Sequence, residues 1–181
     1  EHNITNVPFY DLLTEDEKML LIKNCRIVDF DAKEAIFKQG NFALNSYIVL
    51  NGLCKLTYQS GEKKRIVLIV HRGEMIGKDY ALFDNYPFSA HTLSKSRLMI
   101  IPKTFLSEIC ETNNLFYVRL ANRLEHKMIN TMEWIINLNF KNIEGAVAMF
   151  ILKYCTKDYE GIELSRTEIA DIIGYSRESI I

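Results

Sequence analysis

The 181-residue sequence lacks several features that would identify its class at once. No apolar run reaches the ~18 residues that a membrane span requires, and no signal peptide is visible, so we expect a cytoplasmic protein with no membrane partner. The four cysteines contain no Cys-x-x-Cys pair. Dispersed thiols in an intracellular protein are usually reduced and packed in the core. We therefore expect no metal site, and no iron–sulfur cluster, which needs cysteines in a local pair or run.

Catalytic signatures and an excess of positive charge are missing as well. The chain has no nucleophile–base pair, phosphate-binding loop, zinc signature or dinucleotide fingerprint, so we do not expect an enzyme. Lys and Arg number 22 against 23 Asp and Glu, without the basic excess usual for nucleic-acid binding. From residue 143 to residue 181 acidic residues even outnumber basic ones. Composition alone therefore does not favour a nucleic-acid partner.

Residues 25–101 are typical of a β-sheet protein. Short runs rich in β-branched, apolar and aromatic residues recur throughout this region, separated by turn signals such as Asn51-Gly52, Ser60-Gly61 and Arg72-Gly73. Many short strands at this spacing predict an antiparallel sandwich or barrel, with a jelly roll as one form. The run from Ile66 to Val70 is apolar on both faces, which favours the middle of the sandwich. We assign residues 1–113 to this domain.

A long helix is predicted next, because no Gly or Pro occurs from Asn114 to about Phe140. Its apolar residues alternate at spacings of four and three, which is a heptad seam. The seam consists of Tyr117, Ala121, Leu124, Met128, Thr131, Ile135 and Leu138. Such a stripe could pack on the chain's own sandwich, but two neighbouring stripes on one helix can also serve a partner helix. We predict homodimerisation through residues 114–142, with a hinge at Phe140 to Asn142.

The segment from Leu164 to Ile181 has the pattern of a helix-turn-helix. Ser165 and Glu168 form a Ser-x-x-Glu capping box at the start of a helix with one apolar face. Gly174 follows where a helix can stop through a left-handed residue. Ser176 is a second N-cap, and the expected second helix is incomplete at the end of the given sequence. We assign residues 143–181 to this helix-turn-helix domain.

The second helix would carry the residues that read DNA. A recognition helix enters the major groove with its N-terminal residues leading, so Arg177 and Glu178 would face base edges. The alternative is that this helix pair is only a packing unit, because short helix-turn-helix patterns recur by chance.

The order of these parts, jelly roll, long helix and helix-turn-helix, closely resembles the Crp/Fnr family of bacterial transcription regulators. The resemblance covers essentially the whole chain. Its motifs occur in the family's order: Ile36-Phe37, Gln39-Gly40, Tyr47-Ile48-Val49, Asn51-Gly52, Lys55, Gly61, Gly73-Glu74, Gly77 and Ser176-Arg177-Glu178. The resemblance implies an α+β chain with a cyclic-nucleotide-binding-like double-stranded β-helix and a C-terminal winged helix-turn-helix. It also implies a homodimer on a two-fold symmetric DNA operator, with RNA polymerase as a further partner.

Site roles follow from the resemblance residue by residue. Arg177 would hydrogen-bond a guanine edge and Glu178 would accept from a cytosine amino group, both pairings being common in direct readout. Ser165 and Ser176 would bring hydroxyls and helix N-terminal amides near phosphates. The alternative function is a small-molecule-binding module that regulates a protein partner rather than DNA.

The expected effector pocket departs from the family pattern. Cyclic-nucleotide binders of this fold use a glutamate for the ribose and an arginine for the cyclic phosphate, followed by Ser/Thr-Ala. Here Phe88 precedes Ser89-Ala90 at the arginine's place, and Lys78, or Asp79 with a one-residue slip, replaces the glutamate. A buried phosphate without a cation loses its strongest contact, so we do not expect cyclic AMP as effector.

What replaces cyclic AMP stays open at this stage. The segment from Gly77 through Tyr80 to Ala90 is aromatic, which suits an apolar ligand, or side chains that fill the pocket themselves. Haem would need an axial ligand, for which His71, His91 and His126 are candidates by type only, and we do not expect it. Cys54 and Cys110 have no adjacent cluster of basic residues that would favour a redox-active thiolate, so we do not expect them to be redox sensors.

Overall fold

The computed structural model describes residues 8–77, 84–139, 141–154 and 164–180. Two four-stranded antiparallel sheets pack face to face, as predicted for a sandwich. The first sheet has the order β1 (Arg26–Phe30), β8 (Ser96–Pro102), β3 (Asn45–Asn51) and β6 (Met75–Ile76). The second has the order β2 (Ala35–Phe37), β7 (Ser89–Thr92), β4 (Cys54–Ser60) and β5 (Lys63–Val70). This division of eight strands between two sheets is that of a jelly roll.

The run from Ile66 to Val70 does not lie in the middle of its sheet, contrary to the sequence-based expectation. It belongs to β5, which is an edge strand paired only with β4 among the described strands. Its two apolar faces have different partners. Val70 is fully buried between the sheets, whereas Ile69 is buried under helices outside the sandwich.

In the described part of the chain five α-helices surround the sandwich, and four of them begin at a residue whose side chain caps the helix. They are α1 (Glu15–Asn24), α2 (Lys103–Thr112), α3 (Asn114–Asn139), α4 (Ile143–Tyr154) and α5 (Arg166–Ile173). Asn113 caps α3 by accepting from the backbone N–H of Phe116 at 2.8 Å, and Asn142 caps α4 in the same way through Gly145 at 3.0 Å. The predicted long helix is confirmed from Asn114 to Asn139. Phe140, the first residue of the predicted hinge, lies outside the described residues.

The buried side chains form three clusters. One fills the sandwich, and a second lies under α1, α2 and the start of α3, where Phe116 packs edge-on against Phe9. The third cluster lies outside the sandwich, between Leu53 and Ile69 of the β-domain and Phe150 and Ile173 of α4 and α5. The C-terminal helices are therefore packed on the β-domain rather than held apart from it. Among the described residues no helix is long and apolar enough to cross a membrane.

Candidate DNA-binding and effector sites

Helix α5 is built by the capping pattern that the sequence predicted. Ser165 Oγ accepts from the backbone N–H of Glu168 at 3.3 Å, and the backbone N–H of Ser165 donates to Glu168 Oε2 at 2.9 Å. Gly174 ends the helix in the left-handed region at φ 78°, a conformation that only glycine adopts without steric cost. The capping box and the glycine stop are both confirmed.

The segment after Gly174 is shorter than an α-helix. Residues Arg177–Ile180 form one 3₁₀ turn, which is capped by Ser176 through a hydrogen bond from the backbone N–H of Ser179 at 3.3 Å. Glu178 is exposed at this turn, and the side chain of Arg177 lies outside the described part of the chain. The cap at Ser176 is confirmed, whereas the roles of Arg177 and Glu178 in reading bases stay predictions.

The two capping serines differ in how their hydroxyls are used. Ser165 Oγ also donates to Glu168 Oε2 at 2.9 Å, so its hydroxyl is engaged with one residue in both directions. Ser176 Oγ lies 2.8 Å from Ser179 Oγ at an exposed turn. A phosphate contact therefore requires less rearrangement at Ser176 than at Ser165, because the hydroxyl of Ser165 would first have to break its hydrogen bond to Glu168.

Two ion pairs and one hydrogen bond hold this C-terminal segment in place. Lys55 of β4 pairs with Glu168, and Arg65 of β5 pairs with Asp171, so α5 is attached to the outer face of the β2-β7-β4-β5 sheet. Tyr175 Oη donates to the backbone oxygen of Lys141 at 2.9 Å, which joins the turn after α5 to the link between α3 and α4. Sequence reasoning missed these contacts because charged pairs distant in the chain leave no local pattern.

A groove between the sandwich and α3 includes one residue of the predicted effector pocket, Phe88. The groove has a volume of about 580 Å³ and, apart from Lys127, no charged side chain among the described residues that line it. Its lining consists of Leu56, Val67, Leu68, Phe88, Leu124, Lys127, Met128, Thr131 and Met132. Lys127 Nζ lies 2.9 Å from Glu74 Oε1. Burial opposes the ionisation of Glu74, yet Lys127 and His71 together hold its pKa below the usual value.

The remaining predicted pocket residues have varied surroundings. Phe88 lines the groove and packs edge-on against Tyr58, with ring centroids 6.1 Å apart. Ser89 Oγ accepts from the backbone N–H of Gln39 at 2.9 Å, and Ala90 is fully buried in the sandwich core. Lys78, Asp79 and Tyr80 lie outside the described residues.

Gly77 follows β6 directly and lies close to the backbone of β3, so the space beside its Cα is taken by the protein itself and not left for a ligand. A Cβ there would lie 3.0 Å from the backbone oxygen of Asn45 and 3.3 Å from Tyr86 Cε1. The ring of Tyr86 stacks on Phe37, with centroids 3.9 Å apart, and its hydroxyl donates to the Asn45 oxygen at 2.6 Å. This aromatic residue of the cassette therefore fills the sandwich core and is not free to contact a ligand.

The heptad seam of α3 is only partly exposed. Tyr117, Ala121 and Ile135 are exposed, Met128 is exposed and lines the edge of the groove, Leu124 and Thr131 line the groove, and Leu138 packs in the third cluster. Leu124, Thr131 and Leu138, which are seven residues apart, are half-buried on the side of the sandwich, whereas Ala121, Met128 and Ile135, also seven residues apart, are exposed. The seven residues as a dimer interface stay a prediction. The outward face is completed by other exposed apolar residues, namely Val118, Ile129, Met132 and Ile136.

The histidines and cysteines do not gather into one centre. His71 follows β5, His91 lies in β7 and His126 lies in α3, and no group of three potential metal ligands occurs among the described residues. Burial raises the pKa of Cys54 to about 12 and also raises the pKa of Cys110. These two thiols are thus held in the protonated form, which is the less reactive one.

Comparison with known proteins finds a matching domain model and related regulators. The model of the cyclic nucleotide-binding domain matches residues 27–113. The cAMP-activated global transcriptional regulator CRP of Salmonella typhimurium is 22% identical over 169 residues, which cover 88% of this chain and 80% of that protein.

Two solved structures share the arrangement of the elements. FixK2 from Bradyrhizobium japonicum matches with a TM-score of 0.74 at 17% identity, over 86% of this chain and 80% of that one. The c-di-GMP responsive global regulator CLP from Xanthomonas campestris matches with a TM-score of 0.70 at 17% identity, over 92% and 88%. The likeness shows a shared fold, and the relatives are regulators rather than enzymes. Residues 27–113 thus match the cyclic nucleotide-binding domain, and over most of its length the chain is similar to transcriptional regulators of the Crp/Fnr type.

Proposed function

We propose that this protein binds a two-fold symmetric DNA operator as a homodimer and thereby regulates transcription. The observation that carries this proposal is the capped helix α5, stopped at Gly174 and followed by the capped turn at Ser176. In the family pattern Arg177 then pairs with guanine and Glu178 with cytosine. Such a unit reads bases with the first residues of its second helix. RNA polymerase as a further partner stays a prediction from the resemblance.

The proposed dimer interface is the outward apolar face of α3. Met128, Met132 and Ile135 are each more than half exposed, along one side of a 26-residue helix. An exposed apolar stripe of this length favours a partner of the same kind, because two such helices bury each other's stripe. A two-fold axis along α3 would also give a pair of α5 units related by symmetry, which matches a symmetric operator.

The test of DNA reading is the variant Arg177→Ala in the full-length protein, with Lys23→Ala on α1 as the matched loss of charge. The operator is first selected from a random duplex library. Arg177→Ala is expected to lower operator affinity by about 1–3 kcal/mol and to relax one base position, whereas Lys23→Ala leaves both unchanged. Unchanged affinity and base preference in Arg177→Ala would contradict the proposal.

The test of the interface is Ile135→Asp, with Asn122→Asp at an exposed polar position of the same helix as control. Sedimentation velocity is expected to show a dimer for the unchanged protein and for Asn122→Asp, and a monomer for Ile135→Asp. A charge placed in an apolar helix seam would be buried without a partner, which is the physical reason for dissociation. A monomeric unchanged protein would contradict the proposed interface.

For the effector we propose either an uncharged, largely apolar molecule in the groove or no effector at all. Phe88 occupies the place of the phosphate-binding arginine, and Lys127 is paired with Glu74. CRP, as its name states, is activated by cAMP. Mass spectrometry of the protein under native conditions, followed by identification of released small molecules, tests this part. A bound cyclic nucleotide would contradict it.

A further inference from the structure

A second cavity lies on the outer face of the β2-β7-β4-β5 sheet, away from the groove that α3 covers. It has a volume of about 600 Å³, within the range of small-molecule sites, and α5 forms part of its wall. From the sheet side it is lined by Lys55, Lys64 and His91, with Lys33 from the turn between β1 and β2. From the helix side it is lined by Ser165 and Glu168. Of its lining residues, Ser165 is the one that also has a predicted role in DNA binding.

The side chains that line the cavity carry more positive than negative charge, with three lysines against one glutamate. Lys55 on β4 lies directly opposite His91 on β7, so a protonated His91 would face a cation on the neighbouring strand, an arrangement that destabilises a sheet. Burial lowers the pKa of His91, and Lys64, Lys55 and Lys38 lower it further, so these cations oppose a further positive charge there. His91 Nδ1 is also buried without a hydrogen-bond partner among the described residues.

One carboxylate of the protein already occupies a part of this space. Glu168 pairs with Lys55, and both side chains keep no more than a quarter of their surface exposed. The same carboxylate closes the capping box on Ser165. Lys33 and Lys64 form no ion pair among the described residues. Glu168 therefore neutralises the charge of only one of the three lysines in the cavity, Lys55.

We propose that this cavity is a binding site for a small anion of several charges, of the oligophosphate class. Lys is a common phosphate ligand as a point charge, and three of them around one cavity suit neighbouring phosphate groups better than a single carboxylate. His91 Nδ1–H, in the tautomer that carries its proton there or in the charged form, is an additional donor. The ligand competes with Glu168 for Lys55, so Glu168 is the internal counter-ion that the ligand displaces.

The experiment is calorimetric titration of the full chain with sodium tripolyphosphate at constant ionic strength. Lys64→Gln removes an exposed cation of the cavity, and Lys63→Gln, its exposed neighbour on β5 that does not line the cavity, is the matched control. Glu168→Gln removes the competing charge while Gln can still close the capping box. Adenosine triphosphate in a parallel titration distinguishes a nucleotide from the phosphate chain alone.

The unchanged protein is expected to bind tripolyphosphate, and Lys64→Gln to bind it about two- to fivefold more weakly than Lys63→Gln. Glu168→Gln is expected to bind it more tightly than the unchanged protein, a gain that removal of a negative charge elsewhere does not give. Tighter binding of adenosine triphosphate would assign the site to nucleotides, and equal binding to the phosphate chain. The proposal is overturned if Lys64→Gln and Lys63→Gln behave alike, or if a random-sequence duplex binds while tripolyphosphate does not. Neither outcome depends on operator recognition by Arg177.

Discussion

Where α3 runs beside the β2-β7-β4-β5 sheet the junction is an apolar groove, whereas where α5 meets the same sheet it is a cavity lined by lysines. The two junctions share one strand. Leu56 of β4 contributes to the groove and its neighbour Lys55 to the cavity, because successive side chains of a strand point to opposite faces. The neighbouring strand β5 alternates in the same way. Leu68, opposite Leu56, lines the groove, whereas Ile69, opposite Lys55, is buried on the side of the C-terminal helices. One short strand thus serves two sites of opposite chemistry.

The comparison also shows how differently the two helices are held. The inner face of α3 faces the sheet across a groove lined by long apolar side chains, and the ion pair between Lys127 and Glu74 lies at its edge. Helix α5 has eight residues and combines a small apolar cluster with two ion pairs. Apolar packing does not depend on the ionic medium, whereas surface ion pairs weaken as salt rises. We therefore expect the α5 junction to be the one that changes with anions and pH.

The largest effect is expected from Ile69→Ala, which tests whether apolar packing holds the α5 junction. Ile69 is 2% exposed between β5 and the C-terminal helices, so truncation leaves a cavity and costs about 2–5 kcal/mol. Val67→Ala on the same strand is the control, because Val67 is 48% exposed and its truncation should cost under about 1 kcal/mol. Urea unfolding of both variants measures the difference. Equal costs would mean that the third cluster contributes nothing.

A smaller effect is expected from Glu168→Ala, which removes the charged part of the same junction. The variant loses the capping box and the pair with Lys55, and we expect a cost of about 1–2 kcal/mol in the free energy of unfolding. Glu168→Gln should recover the part that belongs to the cap. Hydrogen exchange of the α5 amides measures the local loss. A variant as protected as the unchanged protein would show that apolar packing alone fixes α5.

The pH dependence of the free energy of unfolding is expected to report on the α5 junction, because His91 lines the cavity there and does not line the groove at α3. Its pKa lies below the ordinary value of 6.5 in the folded protein, so the unfolded chain takes up the proton first as the pH falls. This contribution to stability is complete above pH 6.5 and is lost as the pH falls from 6.5 through the folded pKa. His91→Gln is expected to remove that loss, and tripolyphosphate to reduce it by raising the pKa of His91. Chemical unfolding from pH 7.5 to pH 5, with NMR titration of the imidazole, measures both effects.

The smallest expected effect is that of cyclic AMP, which should not shift the melting temperature at all. Among the described residues that line the groove, only Lys127 could pair with a phosphate, and its charge is balanced by Glu74. The control is a thermal scan of CRP of Salmonella typhimurium, whose name states activation by cAMP, under the same conditions. A stabilisation that saturates with cyclic AMP would show that the groove accepts a charged ligand and would remove the contrast between the two junctions.

Local patterns predicted a large part of the fold. The antiparallel sandwich, the helix from Asn114 to Asn139, the cap at Ser165 and the stop at Gly174 all follow from residues close together in sequence. Such patterns succeed because a turn, a cap or an apolar stripe is decided within a few residues. The position of β5 could not be predicted in this way. An apolar run on both faces has the same appearance whether its second face meets a sheet or helices.

The site was less predictable than the fold. The groove residue Phe88 follows from the family pattern, but the sequence did not show that Leu124 and Thr131 line the groove, because a heptad repeat does not fix which side of a helix faces the chain's own sheet. The ion pairs Lys55–Glu168 and Arg65–Asp171 join residues more than a hundred positions apart. No spacing rule connects such residues.

The sequence by itself therefore determined the elements, their caps and the resemblance of the chain to the Crp/Fnr family, since these rest on neighbouring residues and ordered motifs. Only the tertiary structure decided that α5 lies on the sandwich and that Lys33, Lys55, Lys64 and His91 surround one cavity. The physical reason is that charges have no preferred partner in sequence. Their energies depend on distance and burial, and both quantities exist only after the chain has folded.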